Sequence, residues 1–168
     1  MKLLIPSAKE LNEQARIVEP QPLSENTKTI LQALKAFSLE ELATFYGISE
    51  ERALVEKERI EALLAGSAKT YPALELFDGL MYRSIERQDL SEKEQAYLQE
   101  HLLITTALYG VLPAYEGIAP HRLDFMMKLK PAGKSLKAFW KEDYDQAVEG
   151  EKQILSLLSS EFEQVFSK

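Results

Sequence analysis

Two short segments of the sequence combine residues that can bind phosphate or move a proton. Ser7 and Lys9 directly follow an apolar run, and polar residues at the carboxyl end of a buried strand often contact ligands in αβ sheets. Farther along, His121, Arg122 and Asp124 place an imidazole, a guanidinium and a carboxylate within four positions. In a functional interpretation of these residues, Arg122 binds a phosphate and His121 assists proton transfer. The structural alternatives are a polar surface loop and an ion pair between Arg122 and Asp124, and for Asp124 we favour the ion pair.

Two tyrosines are candidates for stacking on a nucleic-acid base. Tyr109 follows a predicted strand and would lie at its end, where an aromatic ring can stack on a base. A tyrosine in that position is more often half-buried with its hydroxyl group hydrogen-bonded, and we favour that interpretation. Tyr82 is the second candidate, in the segment that follows Asp78 and Gly79.

The interval 121–141 is basic although the whole chain is acidic. It contains six lysine or arginine side chains against one carboxylate, whereas the net charge of the 168 residues is −7. Lys134, Lys137 and Lys141 have the spacing of one helical face. Such a stripe suits docking on the phosphate backbone of nucleic acid, and it equally suits a plain amphipathic helix. From charge alone, the solvated surface is the favoured interpretation.

The composition excludes several classes of function. The absence of cysteine rules out a disulfide framework, a thiolate zinc site, a cysteine-ligated iron–sulfur cluster and thiol catalysis. His101 and His121 are too few for a three-histidine metal site. No glycine-rich phosphate loop is present, so hydrolysis of nucleoside triphosphates has little support. We therefore predict no cofactor, no metal site and no catalytic residue.

Local patterns predict the elements that must position these residues. Short apolar runs predict four buried strands, at 2–6, 102–108, 123–129 and 154–158. Serine caps and terminating glycines predict helices at 25–37, 39–46, 50–65, 92–100 and 136–150, with short helices after Gly79 and after Ser159. Gly110 and Pro113 predict a loop that runs to Pro120. The fold expected is α+β (mixed αβ), a central short-stranded sheet with surrounding helices, in a single domain over 1–168.

Targeting signals are not evident in the sequence. Pro6 interrupts the first apolar run, which is therefore too short for a signal peptide. The longest uncharged stretch, 102–115, is too short to span a bilayer. We expect a cytoplasmic protein without membrane contact.

Several short segments of the chain, taken together, resemble the YaaA family of bacterial peroxide-stress proteins. The blocks that carry the resemblance occur in the family's order and cover nearly the whole chain: 4–9, 77–82, 101–103, 108–113, 118–123, 136–140 and 157–161. The amino-acid sequences of these segments are similar to those of streptococcal or related Gram-positive members. Two departures are Pro6-Ser7, where many relatives have the reverse order, and His121, where relatives often have tyrosine. Family members usually continue further, so we expect that the family's lysine- and arginine-rich C-terminal part is missing here.

The resemblance implies a cytoplasmic protein that helps limit free intracellular iron during hydrogen peroxide stress. It also implies a mixed αβ fold and DNA binding through a positively charged cleft and a helix-hairpin-helix-like element, without an established catalytic activity. The first hypothesis is thus a monomer that binds double-stranded DNA. Its contacts to phosphates and bases would come from Lys9, Tyr82, Tyr109, Arg122, Lys134, Lys137 and Lys141.

Two other classes of function stay open. An enzyme acting on nucleobases or nucleotides would need a sheet-edge pocket that joins Lys9, Tyr109 and Arg122, with Ser7 and His121 as further pocket candidates. An iron-handling or scaffold protein is the third hypothesis. The glutamate-rich helix at 50–65 lacks the Glu-x-x-His spacing of di-iron bundles, so direct iron storage has little support. Non-enzymatic nucleic-acid binding is favoured.

Overall fold

A computed structural model describes residues 1–167 of the chain. Within that range the elements follow in the order β1 (Lys2–Pro6), α1 (Glu25–Lys35), α2 (Leu39–Tyr46), α3 (Glu50–Ala65), β2 (Tyr71–Pro72), α4 (Ala73–Leu76), α5 (Leu80–Arg83), α6 (Glu92–His101), β3 (Leu102–Thr106), β4 (Gly110–Pro113), β5 (Gly117–Ile118), a 3₁₀ turn (Pro131–Gly133), α7 (Leu136–Ala147), β6 (Ile154–Ser156) and α8 (Ser160–Glu163). The predicted α+β class is confirmed.

The main sheet has four strands in the order β4-β3-β1-β6. The central strand β1 is parallel to both neighbours, with Leu3 opposite Leu102 on one side and Leu155 on the other. Only β4 is antiparallel within this sheet, and β2 and β5 form a separate antiparallel ribbon. Because β1, β3 and β6 run in the same direction, their carboxyl ends meet at one edge of the sheet.

Two hydrophobic clusters stabilise this arrangement. The first joins α1, α2, α3 and α7 through side chains such as Ile30, Leu42 and Trp140. The second lies between one face of the sheet, represented by Ile104, and the short helices α4 and α5. Buried polar groups connect the layers: the Trp140 indole N–H donates to the Ala107 carbonyl at 2.7 Å. Burial of a polar group with its partner satisfied avoids the penalty of an unpaired donor.

The helix boundaries follow the predicted caps closely. Ser38 and Glu41 form the predicted capping box of α2, and Ser91 and Glu94 form that of α6. Gly47 ends α2 in the left-handed conformation, with φ of +63°. After a two-residue turn α3 begins, so α2 and α3 form a helical hairpin.

Three sequence predictions of strands and loops are wrong in part. The expected loop after Gly110 contains β4 and β5, because 110–113 pairs with β3 in an antiparallel ladder. The expected strand at 123–129 is irregular, and its apolar side chains anchor it in the first cluster instead. The last strand forms, but Ile154 and Leu155 are exposed because β6 is an edge strand. No helix within residues 1–167 is long and apolar enough to cross a membrane.

Candidate functional site

The carboxyl edge of the sheet contains a small pocket, here called the strand-end pocket. It encloses about 70 Å³ and is lined by Ser7, Ala8, Lys9, His121, Arg122, Leu123, Asp124, Glu161 and Phe162. The first three residues follow β1, and the Ser7 N–H donates to the Thr105 carbonyl at 2.9 Å. The last two belong to α8, which follows the parallel strand β6. The topology of the sheet therefore brings these distant segments together.

Lys9 and Asp124 form an ion pair at this pocket. The distance from Lys9 Nζ to Asp124 Oδ2 is 3.1 Å, and the other carboxylate oxygen accepts the Met126 N–H at 2.9 Å. The Lys9 side chain is 72% exposed, whereas that of Asp124 is 13% exposed. The predicted pairing of Asp124 with Arg122 is wrong, because the irregular 121–124 segment directs Asp124 to the residue that follows β1.

Arg122 has no ion-pair partner among residues 1–167. Its Nε is enclosed without a hydrogen-bond acceptor. Its positive charge lies close to Tyr46 and Glu56: burial raises the pKa of both groups, and Arg122 partly opposes that rise. The Glu56 carboxylate itself accepts from Arg59 at 2.9 Å. Arg122 therefore keeps its hydrogen-bonding capacity for another group.

His121 is half-buried, and its partial burial keeps the imidazole electrically neutral at neutral pH. Its Nδ1 lies 2.8 Å from the Ala119 carbonyl, so Nδ1 carries the proton and Nε2 is an acceptor. The ring meets Phe77 and Tyr109 edge-on. Burial lowers the His121 pKa to about 4. The residue therefore adds no positive charge at neutral pH, and a basic role in proton transfer receives little support.

The two candidate tyrosines lie outside the strand-end pocket. The Tyr109 hydroxyl oxygen accepts the Ala119 N–H at 3.1 Å, and burial raises the Tyr109 pKa to about 12. The Tyr109 ring borders a different groove, between the 20–23 and 63–68 segments. Tyr82 is 1% exposed and donates its hydroxyl to the Pro6 carbonyl at 2.8 Å. That burial corrects the proposed stacking role of Tyr82, because neither face of its ring is open.

The three lysines of the predicted stripe, Lys134, Lys137 and Lys141, have different surroundings. Lys137 Nζ donates to Gln164 Oε1 at 2.8 Å, which places this cation beside the C-terminal end of α8. Lys134 is exposed just before the start of α7. Lys141 borders a groove with three carboxylates, Glu142, Asp145 and Glu149, so its positive charge is locally offset.

Nothing in the sequence indicated that α8 forms a wall of the pocket. Glu161 Oε1 accepts the Phe125 N–H at 3.0 Å, a contact across 36 positions. The serine cap at 159 predicts a helix but contains no information on what that helix touches. The structure thus brings Ser7, Lys9, His121 and Arg122 together with Glu161, and places Tyr82, Tyr109 and Lys141 elsewhere.

Comparison with known proteins gives a consistent result. Residues 1–168 match the family model described as peroxide stress protein YaaA. The chain is 57% identical over its whole length to a UPF0246 protein of Streptococcus gordonii and 59% identical to one of Streptococcus sanguinis. A UPF0246 protein of Streptococcus pneumoniae is 55% identical over the same 168 residues. In each case the match spans 69% of the relative's length.

Proposed function

The chain belongs to the YaaA family of peroxide stress proteins, and from that premise we propose that it protects the cell by binding double-stranded DNA. In this proposal the protein is a cytoplasmic monomer, and it contacts phosphates more than bases. The observation that carries the proposal is the unpaired Arg122 in the strand-end pocket, with Lys9 on the same pocket. Lys137 adds a third cation beside α8. Cations that converge in this way attract the phosphate backbone.

The helical hairpin of α2 and α3 supports the same proposal. The family resemblance implies a helix-hairpin-helix-like element, and we assign it to these two helices, which are joined through the left-handed Gly47. Glu50 and Glu51 lie in the first turn of α3. Arg52 lies in the same turn and is exposed, so contact between the hairpin and a phosphate would come from its guanidinium together with backbone N–H groups.

The test is a fluorescence anisotropy titration of a labelled duplex. Loss of the cation in Arg122→Gln should weaken binding by about ten- to hundredfold, since a charge-assisted hydrogen bond contributes roughly 1.5–3 kcal/mol. Lys9→Gln should weaken it by a smaller factor, because Lys9 is already paired with Asp124. Lys93→Gln is the matched control: Lys93 lies on α6, which leads into the opposite end of β3. Equal affinities for all three variants would contradict the proposal.

A second candidate is an enzyme acting on nucleobases or nucleotides. The observation that favours it is the position of the pocket at the carboxyl ends of parallel strands, where such sheets bind ligands. Tyr109 lies outside that pocket, however, and the low pKa of His121 leaves it a weak base. Incubation with nucleobases and nucleotides, followed by mass spectrometry of the products, tests this candidate.

The resemblance also supports a role in limiting free intracellular iron during peroxide stress. We propose that this role accompanies DNA binding. Loss of the gene in a streptococcal host should raise the chelatable iron measured by electron paramagnetic resonance after peroxide treatment. Unchanged iron together with increased DNA damage would separate the two roles and leave DNA binding as the primary one.

A further inference from the structure

We propose that the strand-end pocket binds a terminal phosphate group, as found at the end of a DNA strand or on a mononucleotide. This inference rests on the proposed function and specifies which part of the nucleic acid the pocket takes. The enclosed volume of about 70 Å³ is small. Since about 10–15 Å³ of such volume holds one water molecule, the pocket admits a group of roughly five or six non-hydrogen atoms. A phosphate group has this size, and a nucleobase is about twice as large.

The shape of the pocket favours a monoester over a diester. A phosphate inside a strand continues into sugar on both sides, so it can lie along an open groove but fits poorly into a narrow pocket. A terminal phosphate has one covalent attachment and three free oxygens. Four other grooves on the described part of the chain have volumes of about 460–660 Å³ and are far more open.

Arg122 supplies the charge that such a group requires. Four of the six arginines have carboxylate partners within residues 1–167: Arg16, Arg59, Arg83 and Arg87. Arg52 is exposed to solvent. Arg122 is partly enclosed, is unpaired within the described residues and has an orphaned Nε. Glu56 lies near Arg122 but is already hydrogen-bonded to Arg59, so Arg122 has no ion-pair partner of its own within the described residues. A guanidinium can bind phosphate through two parallel hydrogen bonds.

The remaining polar groups of the pocket determine whether its net charge attracts an anion. Both oxygens of Asp124 are engaged, one by Lys9 and one by the Met126 N–H, so this carboxylate is neutralised. His121 is uncharged at neutral pH. Glu161 uses one oxygen for the Phe125 N–H, and its charge opposes an anion. Removal of that negative charge should therefore strengthen phosphate binding. This expectation tests both the charge of the ligand and its position in the pocket.

The experiment compares DNA hairpins that differ only at their end. Each hairpin carries an internal fluorophore and a 5′-phosphate, a 3′-phosphate or hydroxyl groups, and a sealed circular duplex serves as the ligand without ends. We expect at least one phosphate end to bind about three- to tenfold more tightly than the hydroxyl end. The preference should disappear in Arg122→Gln, increase in Glu161→Gln and persist in the Lys93→Gln control. Thermal unfolding of each variant verifies that it is folded.

The possible outcomes separate this inference from the proposed function. If the hydroxyl-ended hairpin and the sealed circle bind as well as the phosphate ends, DNA binding stands and the terminal-phosphate site is overturned. If no DNA binds but a nucleoside monophosphate or inorganic phosphate binds in an Arg122-dependent way, the pocket assignment stands and the DNA function is wrong. A weaker preference in Glu161→Gln overturns the assignment even where Arg122→Gln is poorly folded.

Competition distinguishes the two sources of the phosphate group. A nucleoside monophosphate should displace a phosphate-ended hairpin, and the corresponding nucleoside should not. If the mononucleotide competes only at concentrations far above those of the hairpin, a strand end is the ligand. If it competes at equal concentration, a free nucleotide is the ligand, because the rest of the DNA then adds nothing to binding.

Discussion

The contacts of Asp124 combine a weak interaction with a stronger one. Its ion pair with the largely exposed Lys9 contributes little, since exposed pairs are typically worth 1 kcal/mol or less. Its hydrogen bond to the Met126 N–H shapes the loop at 124–127. We expect Asp124→Ala to lower the free energy of unfolding by about 1 kcal/mol and Lys9→Ala to lower it by less than about 0.5 kcal/mol. Urea denaturation of both variants measures the difference, and a larger effect for Lys9→Ala would contradict this account.

Burial of His121 makes stability depend on pH. In the folded protein the imidazole stays unprotonated down to about pH 4, whereas in the unfolded chain it takes up a proton near pH 6.5. Between these values the unfolded state binds more protons, so stability should fall as pH falls, by up to about 3 kcal/mol. His121→Phe retains a ring between Phe77 and Tyr109 but does not titrate.

The measurement for His121 is the free energy of unfolding from pH 7 to pH 4. We expect the wild-type chain to lose more stability than His121→Phe over this interval. His101→Gln is the control, because it removes the other histidine of the chain. Parallel curves for wild type and His121→Phe would show that burial of His121 is not the cause.

Residue types and spacing singled out several residues that line the strand-end pocket but not their partners. Ser7 and Lys9 could be predicted because they follow an apolar strand, and Arg122 because it begins a basic interval. The partner of Asp124 lies 115 positions away and is set by the parallel pairing of β1 and β3. Spacing within a four-residue segment carries no information about such a contact.

At the level of elements, the turn between β3 and β4 depends on a glycine. Gly110 has φ of +78°, and a Cβ atom there would lie 2.8 Å from the Trp140 ring. Gly110→Ala should therefore lower the free energy of unfolding by about 2–4 kcal/mol, from backbone strain together with overpacking. Gly133→Ala should cost only about 1–2 kcal/mol, since that position also has positive φ but has no neighbour within 4 Å of the added atom. Urea denaturation of both variants measures the two losses in free energy of unfolding. Similar losses would contradict the close contact between β4 and α7.

Helices could be predicted from the sequence more reliably than strands, for a local reason. The caps at Ser38 and Ser91 are satisfied by the residue three positions later, so the sequence alone contains both partners. The strand β4 contains Gly110 and Pro113, which locally favour a loop, and it forms because β3 pairs with it. Conversely, the apolar residues at 123–129 have no strand to pair with and pack against helices instead.

At the level of the whole molecule, the net charge limits how the proposed DNA binding would occur. The chain carries −7 overall, so only a local group of cations can attract phosphate. The three cations of the proposal are Lys9 and Arg122, which line the strand-end pocket, and Lys137, which lies beside α8. Three contacts predict a slope of roughly −3 for the logarithm of affinity against the logarithm of salt concentration. Anisotropy titrations from low to moderate salt measure it, and an affinity that does not change with salt would rule out phosphate-directed binding.

The exposed strand β6 has a consequence for handling the protein. Its outer edge offers unpaired N–H and C=O groups, and Ile154, Leu155 and Leu157 are between 43% and 56% exposed. Such an edge is a template on which a neighbouring molecule can add a strand. Concentrated samples of this chain should therefore self-associate into β-rich aggregates, detectable by light scattering and thioflavin fluorescence. A lysine in Leu155→Lys should suppress that aggregation, because strand addition would then bury an unpaired charge.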